Sequence, residues 1–446
     1  MDTITHGIVG ALVGKAFFAG RDVPAGPSGP SVSSGLTGPD HSAAGTERQA
    51  SAAAARGQAV SSPLARQATS SPMARAAIVA CTVGSIFPDI DVFAGRIFRN
   101  PLAMLEWHRN ITHSLVLLPM WALLLAGISA PLARRLHWES PGFAKLLGIY
   151  AVGLGTHLFL DVITNFGTMI WSPVNYSRLA WDWFFIIDLT FTGIALVPQL
   201  AAWCYREPDK FRRRAGVVWA ALTVGALVAY ALARSVREPF PASIAGATSA
   251  VMAAIIFLPA VSNIGFGWRR ASWCRAGVAL ACVYVATAAM AHRTALVYVN
   301  DYAAAHHLQV SSLAALPLPP TLTHWSGLVS TPDGVLRTTF HVPGGDPDDI
   351  QFYADARRDP AVLKAMQVRD LETYLWFARF PIWQVSRSDA QTVVDVTDAR
   401  FFGAGVEDPL PAQGAGTAGR RRTGFSFEVV FDTAGRVIFQ GSAPEP

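Results

Sequence analysis

The sequence has unusually few charged residues. Only 15% of its 446 residues are Asp, Glu, Lys or Arg, whereas 51% are hydrophobic. About a quarter of the residues of an ordinary soluble protein are charged. The deficit is concentrated in the first two thirds of the chain, where long uncharged runs recur. This composition excludes a single large soluble core and predicts an integral membrane protein with one additional soluble domain.

Cysteine is also scarce. The chain has four cysteines, all in apolar stretches and none in a CxxC pair, namely Cys81, Cys204, Cys274 and Cys282. This arrangement disfavours a disulfide framework and a cysteine zinc site, so we interpret them as small buried hydrophobic residues. Residues 1–6 lack the basic region of a cleavable signal peptide, and the first apolar segment is therefore predicted to be retained.

The sequence contains no basic groove with interleaved aromatic residues. Its net charge of +5 comes mostly from Lys and Arg at the ends of apolar runs, which is where membrane topology requires them. The partner that the charge pattern indicates is therefore the lipid bilayer and not a nucleic acid. Composition carries no signal of oligomeric state.

Apolar segments define the predicted membrane part, an α-helical polytopic domain. There are eight, of which the first two are short: 5–20, 74–88, 111–133, 146–166, 184–204, 215–233, 248–268 and 274–291. In the first segment, Gly10 and Gly14 form a GxxxG pair that predicts close helix packing. Between the first two segments, residues 21–72 are rich in Gly, Ser, Ala and Pro and are predicted to be a disordered cytoplasmic insertion. The predicted membrane-embedded helical domain is then 73–295, preceded by the first segment within 1–20.

The last third of the chain has a different pattern. Charged residues return, and alternation typical of strands is present at 392–396 and 425–431. A helix is predicted over 360–378, opened by Asp359 and Pro360. We therefore predict a soluble α+β domain over 300–446, with Pro317, Pro319 and Pro320 marking its linker.

The distribution of Lys and Arg predicts the orientation of the segments. One set of alternating connections has sixteen basic residues: Arg21, Arg48, Arg56, Arg66, Arg75, Arg134, Arg135, Lys145, Arg206, Lys210, Arg212, Arg213, Arg214, Arg269, Arg270 and Arg275. The other set has six: Arg96, Arg99, Arg109, Arg178, Arg234 and Arg237. The richer set is predicted to be cytoplasmic. Both termini and the C-terminal domain then face outward.

Histidine and aspartate recur at the outward ends of four segments. The stretch Trp107–Ser114 has two histidines five residues apart at the start of an apolar run, where Thr112 is a candidate helix cap. His157 and Asp161 are spaced i, i+4 and so share one helix face. With the predicted topology, seven such residues meet at one membrane face: His6, Asp89, Asp91, His108, His113, His157 and Asp161.

A mixed set of imidazoles and carboxylates suits zinc, or manganese or iron, better than calcium or magnesium. Any one of the seven residues alone is more simply explained by a hydrogen bond to a neighbouring helix. It is their convergence that favours a metal site. Seven candidates exceed the usual three or four protein ligands of one zinc ion, so one or two ions remain open, with some residues outside the coordination sphere.

Several of these stretches resemble a known family, the bacterial inner-membrane metal-dependent hydrolases of the YdjM/YbcI type. The stretches are Met1–Gly7 (MDTITHG), Gly84–Asp91 (GSIFPDID), His108–Ser114 (HRNITHS), Thr156–Asp161 (THLFLD), Thr164–Thr168 (TNFGT), Ser172–Pro173, Phe377–Pro381 (FARFP) and Asp395–Phe401 (DVTDARF). The insertion at 21–72 departs from the short connection usual in that family. The resemblance implies a hydrolase. The name of the family indicates this class of reaction but not the substrate.

The hypothesis that follows is metal-assisted hydrolysis of an ester or phosphoester, such as a lipid, at the outer face. Asp91 is the candidate general base, and Arg109 is placed to neutralise a developing anionic charge. Arg109 as an anchor among lipid headgroups is an equally open interpretation. Two other classes also remain open. The first is a transporter or metal-handling protein, although no internal symmetry is visible, and the second is a structural membrane protein without catalysis.

Overall fold

A computed structural model describes residues 1–19, 71–93, 97, 102–235, 243–319, 321–344, 347, 349–402 and 425–442. The predicted insertion at 21–72 lies outside the described residues except for its last two positions. The helices of the apolar part are α1 (Thr3–Val13), α2 (Pro72–Ile86), α3 (Leu118–Arg135), α4 (Phe143–Val162), α5 (Leu189–Cys204), α6 (Phe211–Ser235), α7 (Ser243–Val261) and α8 (Arg270–Ala305).

Among the described residues, five helical stretches are long and apolar enough to cross a membrane. They are Pro72–Phe93, Phe143–Val162, Pro208–Leu232, Ser243–Val261 and Arg270–Ala305. A sixth span is obtained if Ala103–His113 and Leu118–Arg135, which are bent by 75° relative to each other, form one broken span. Two further apolar helices, Thr3–Phe18 and Leu189–Cys204, are shorter. The helical membrane part is thus confirmed, whereas a total of eight spans stays a prediction.

Segment boundaries differ from the predicted ones at three places. The second segment is longer than predicted, because a 3-10 turn, Phe87–Phe93, extends α2. The third segment begins with a 3-10 turn, Ile111–His113, and its helix starts only at Leu118. Thr112 does not cap that helix, since its hydroxyl donates to Asp91. The fifth segment becomes helical at Leu189, where the preceding aspartate caps the first turn.

Helix α8 ends well beyond its predicted boundary at residue 291. Its 36 residues extend to Ala305, and at about 1.5 Å per residue they span ~54 Å, against a hydrocarbon core of about 30 Å. The additional turns bury Ala295, Val299 and Ala303 against Trp325 and Phe340 of the C-terminal domain. The helix continues because a tertiary partner covers its small-residue face.

The C-terminal domain has two antiparallel four-stranded sheets. Their orders are β1-β2-β3-β4 and β5-β6-β7-β8, and the strands are β1 (Ser312–Leu318), β2 (His324–Thr331), β3 (Gly334–His341), β4 (Asp349–Ala354), β5 (Pro381–Arg387), β6 (Gln391–Asp398), β7 (Ser426–Asp432) and β8 (Val437–Ser442). Both predicted strands are present, in β6 and β7.

Two sequence predictions for this domain are wrong in detail. The single helix expected over 360–378 is two short helices, α9 (Pro360–Ala365) and α10 (Arg369–Phe377). Pro317 lies inside the edge strand β1 and not in a linker, a position where a missing N–H is tolerated. The domain therefore begins almost directly after α8.

Small residues bring α1, α2 and α4 unusually close together. A Cβ at Gly153 of α4 would lie 2.5 Å from the carbonyl oxygen of Cys81, and a Cβ at Gly10 would lie 2.5 Å from the Cβ of Ser85. Gly14 also faces α2, which agrees with the packing face predicted from the GxxxG pair. This approach brings the polar ends of the three helices together.

The C-terminal domain contacts the segment that follows α4. Arg400 donates to the carbonyl oxygens of Asn165 (2.9 Å) and Phe166 (3.4 Å). Arg379 binds both carboxylate oxygens of Asp182 at 2.9 Å. The domain is therefore attached to the same end of the helices that carries the histidines and aspartates.

We predict that Gly153→Ala lowers the free energy of unfolding by about 1–3 kcal/mol, because its methyl group overlaps a backbone atom of α2. The control is Gly148→Ala in the same helix, whose added Cβ meets nothing within 4 Å. Thermal unfolding of the detergent-solubilised variants measures the difference. Equal stability of the two variants would contradict the close packing of α2 and α4.

Candidate metal centre

All seven predicted residues lie at one end of the helices. His6 is in the second turn of α1, and His157 and Asp161 are one turn apart near the end of α4. Asp89 and Asp91 are in the 3-10 turn after α2. The remaining two, His108 and His113, lie within a tight segment between Ala103 and Ser114. The chain thus brings four separate elements to one point, as the sequence predicted.

Hydrogen bonds at Nδ1 fix which nitrogen of two histidines is free. Nδ1 of His157 lies 2.7 Å from the carbonyl oxygen of Ser85, which can only accept. Nδ1 of His113 lies 3.1 Å from a carboxylate oxygen of Asp91. Both rings therefore hold their proton on Nδ1 when neutral, and each Nε2 presents a lone pair. The two Nε2 atoms face each other at 2.9 Å.

Four potential ligand atoms converge at this point. Oδ2 of Asp161 is 3.1 Å from Nε2 of His113 and 3.3 Å from Nε2 of His157. Oδ1 of Asp89 is 3.5 Å from each of the same nitrogens. Ligand atoms around a tetrahedral zinc ion, with bonds of about 2.0–2.2 Å, are themselves roughly 3.3–3.6 Å apart. The spacing fits a divalent cation.

The chemistry of the group also fits a cation. All four residues are buried, and Asp161 Oδ2 has no hydrogen-bond partner among the described residues. Lone pairs that face one another away from water repel, and an unpartnered buried carboxylate oxygen is costly. A proton on one imidazole satisfies a single contact, whereas a divalent ion satisfies all four atoms together.

A second group shares His113 and comprises Asp91, His108 and His113. Asp91 accepts from Nδ1 of His108 (2.8 Å), the hydroxyl of Thr112 (2.8 Å) and the amide of Arg109 (3.1 Å), in addition to His113. A neutral imidazole has only one lone pair, so His113 cannot be a ligand in both groups unless both its nitrogens are deprotonated. A carboxylate behind a metal-binding histidine typically orients the ring and raises its basicity.

His6 lies beside the four-atom group and not within it. Its ring stacks on His157 with centroids 3.7 Å apart, and its Nε2 is 3.2 Å from Asp161 Oδ1. Thr3 donates to Asp89 Oδ2 at 2.6 Å. These contacts from the start of α1 hold both carboxylates in place.

Arg109 is buried, with 3% of its surface exposed, and its backbone has a positive φ of 61°. Its guanidinium lies 2.8 Å from Asp161 Oδ1 and donates to Thr164 Oγ1 at 2.9 Å. Burial rules out the open interpretation that Arg109 is an anchor among lipid headgroups. The left-handed conformation of a non-glycine residue is sustained by these contacts and is a feature of many functional sites.

Sequence reasoning missed the residues that support this centre. Arg178 donates to the carbonyl oxygens of Gly167 (3.0 Å), His108 (3.3 Å) and Leu105, and so binds the histidine segment to the segment after α4. Burial, followed by the charges of Arg109 and Arg400, lowers the pKa of Arg178 to about 9. The guanidinium therefore stays charged at neutral pH.

Phe166 is a second missed residue. Its ring contacts His108 (5.5 Å between centroids), the guanidinium of Arg109 (4.9 Å) and Phe377 of the C-terminal domain (5.2 Å). The only sequence signal for it is its place in the stretch TNFGT, which has no helical or strand periodicity.

The family model described as "YdjM inner membrane protein" matches residues 45–239 of the chain. That range includes Asp89 and Asp91, both histidines of the segment before α3, and the two site residues of α4. No curated protein and no solved structure matches the chain. The resemblance to the YdjM inner membrane protein family that the motifs indicated is therefore confirmed over residues 45–239.

Proposed function

We propose that this protein is a membrane-bound, metal-dependent hydrolase that cleaves an ester or phosphoester at the outer face of the bacterial inner membrane. The observation that supports this proposal best is the four-atom group of Asp89, His113, His157 and Asp161. Two imidazole lone pairs, each oriented by a hydrogen bond at the other nitrogen, meet two carboxylates in a buried setting. This is the donor set of a hydrolytic zinc centre, with manganese or iron as alternatives.

Asp89, His113, His157 and Asp161 would hold the divalent ion, which when bound would make a water molecule acidic enough to act as the nucleophile near neutral pH. His113 and His157 contribute neutral nitrogen ligands, while Asp89 and Asp161 contribute charge. His6 and Thr3 keep the carboxylates in place. His108 belongs to the second group. Because His113 is shared by both groups, a second ion there would require both ring nitrogens of His113 to be deprotonated.

Asp91 and Arg109 have the two further roles in the proposal. Asp91 is the candidate general base, and it also fixes the Nδ1 proton of His113. Arg109 holds a buried positive charge 2.8 Å from a carboxylate of the centre, where it offsets negative charge that develops on a substrate oxygen.

The surroundings of the centre favour a lipid substrate. Large apolar side chains are exposed on the same segments that carry the ligands, including Ile90 and Phe93 beside the aspartates and Ile111 beside the histidines. Large exposed apolar side chains such as these typically face a membrane or an apolar ligand. An ester bond located at the level of the headgroups is thus within reach of the centre.

We expect His113→Ala and Asp161→Asn to lower metal affinity by more than about tenfold, since each removes a proposed ligand. Elemental analysis of the purified variants measures the metal per chain. His306→Ala is the matched control, because this exposed histidine at the end of α8 lies outside both groups. Full metal content in His113→Ala and Asp161→Asn would refute the assignment.

We expect a chelator to abolish lipid or phosphoester hydrolysis and zinc to restore it. The hydrolysis rate of Asp91→Asn at saturating metal distinguishes the two roles of Asp91, general base and orientation of His113. As a general base, Asp91 contributes about 10²–10⁴-fold to the rate, and its loss persists when metal is in excess. If it only orients His113, metal affinity falls by about 10–100-fold and excess metal restores the rate. Metal flux in proteoliposomes without any hydrolysis would instead support a transporter.

The proposed orientation has both termini outside. The metal centre and the C-terminal domain lie at the same end of the helices, and the connections at the other end hold the larger set of basic residues. We expect a reporter inserted at residue 40 to report the cytoplasm and one fused after residue 446 to report the periplasm. An outward signal at residue 40 would contradict this topology.

A further inference from the structure

A groove lies between the histidine segment and the C-terminal domain. Its volume is about 370 Å³. Glu106 and Asn110 form one wall, and Glu372 and Trp376 of α10 form the opposite wall, with Tyr176 at the side. Asn110 directly follows Arg109, so the first wall is part of the segment that supplies His108 and His113. The groove therefore adjoins the metal centre and is built jointly by both parts of the chain.

The groove has a distinct chemical character. Two carboxylates and two aromatic rings line it, and none of its described lining residues is basic. Trp376 is 47% and Tyr176 49% exposed, so part of each ring is open to a ligand, while the guanidinium of Arg178 already contacts the Trp376 ring at 5.2 Å. Glu372 is exposed and makes no hydrogen bond or ion pair within the described part of the chain. In a chain with a net charge of +5, this is a local site for a positive charge.

We propose that this groove binds the ammonium group of an amine-bearing headgroup, so that the substrate is a lipid whose headgroup carries a primary or quaternary amine. The inference rests on the proposed hydrolase function and specifies its substrate class. Aromatic faces attract an ammonium group at short range, and a carboxylate beside them adds a charge-assisted hydrogen bond or ion pair. A hard divalent ion gains nothing from the rings, which distinguishes an organic cation from a metal-loading site.

The position of the groove relative to the centre is held by Arg178. Its guanidinium donates to the backbone of the histidine segment and lies 5.2 Å from the ring centroids of both Trp376 and Phe377. One side chain thus connects both walls. Asn110 of the groove directly follows Arg109, so an ammonium group bound there would leave the ester or phosphoester of the same headgroup beside the segment that contains Arg109. The C-terminal domain contributes in this way to selecting the substrate.

Lipid retention tests this inference independently of catalysis. The protein is equilibrated with equal amounts of phosphatidylethanolamine and phosphatidylglycerol with the same acyl chains, and the bound lipids are counted by native mass spectrometry. We expect the wild type to prefer phosphatidylethanolamine by about tenfold, the usual size of one cation–π contact with a supporting charge. Glu372→Gln and Trp376→Leu are expected to reduce this preference to about threefold or less.

Two controls isolate the groove. Asp370→Asn alters an acidic residue of the same helix that does not line the groove, and Trp376→Phe keeps an aromatic face; both are expected to retain the preference. Metal content is measured in every variant. If Trp376→Leu also loses metal, its role is structural, and the exposed Glu372→Gln then decides the question.

The outcomes separate the inference from the proposed function. No headgroup preference in the wild type, or a preference that survives Glu372→Gln, would overturn the inference. Retained preference without hydrolysis of any lipid would overturn the hydrolase proposal and leave the headgroup site standing. Displacement of the lipid by equimolar soluble phosphoethanolamine would identify a soluble amine in place of a lipid, and we expect no such displacement.

Discussion

The structure depends on the burial of the Asp161 carboxylate. A carboxylate taken out of water costs several kcal/mol unless positive charge and hydrogen-bond donors replace the water. Arg109 and His6 meet one oxygen of this carboxylate, and the rings of His113 and His157 meet the other. Neither ring donates a hydrogen bond to the second oxygen when neutral, because both rings carry their proton on Nδ1. A cation bound at this point would complete the compensation that the fold begins.

Small residues in the helices serve the same constraint. The backbone of α4 approaches α2 at Gly153, and α1 approaches α2 at Gly10. Only this approach lets His157 reach the carbonyl oxygen of Ser85 at 2.7 Å, and that bond selects the nitrogen that faces the carboxylates. Helix packing without large side chains and the orientation of a ligand are thus two results of one arrangement. A larger side chain at Gly153 disturbs both.

The sequence predicted that these histidine and aspartate side chains lie close together, but not how they divide into groups. Histidine and aspartate at the outward ends of apolar segments are conspicuous because a membrane disfavours them, and all of those predicted lie together. Which residues converge on one point depends on tautomers, and these are set by partners such as Ser85 that no pattern marks. Helix boundaries also escaped prediction where tertiary contacts decide them. α8 continues to Ala305 because a sheet covers it, and α5 starts at Leu189 where Asp188 accepts from the amide of Phe191 and the hydroxyl of Tyr284.

The C-terminal domain and the metal centre form one packing unit. Phe166 lies between His108 and Arg109 on one side and Phe377 on the other, while Arg400 binds the backbone around it. The aromatic ring excludes water from the guanidinium of Arg109, and this strengthens the ion pair with the buried carboxylate. The electrostatic environment of the centre is therefore set partly from outside the membrane helices. A domain that only bound partners would not need to contact Phe166, the residue that packs on His108 and Arg109. The C-terminal domain makes this contact through Phe377.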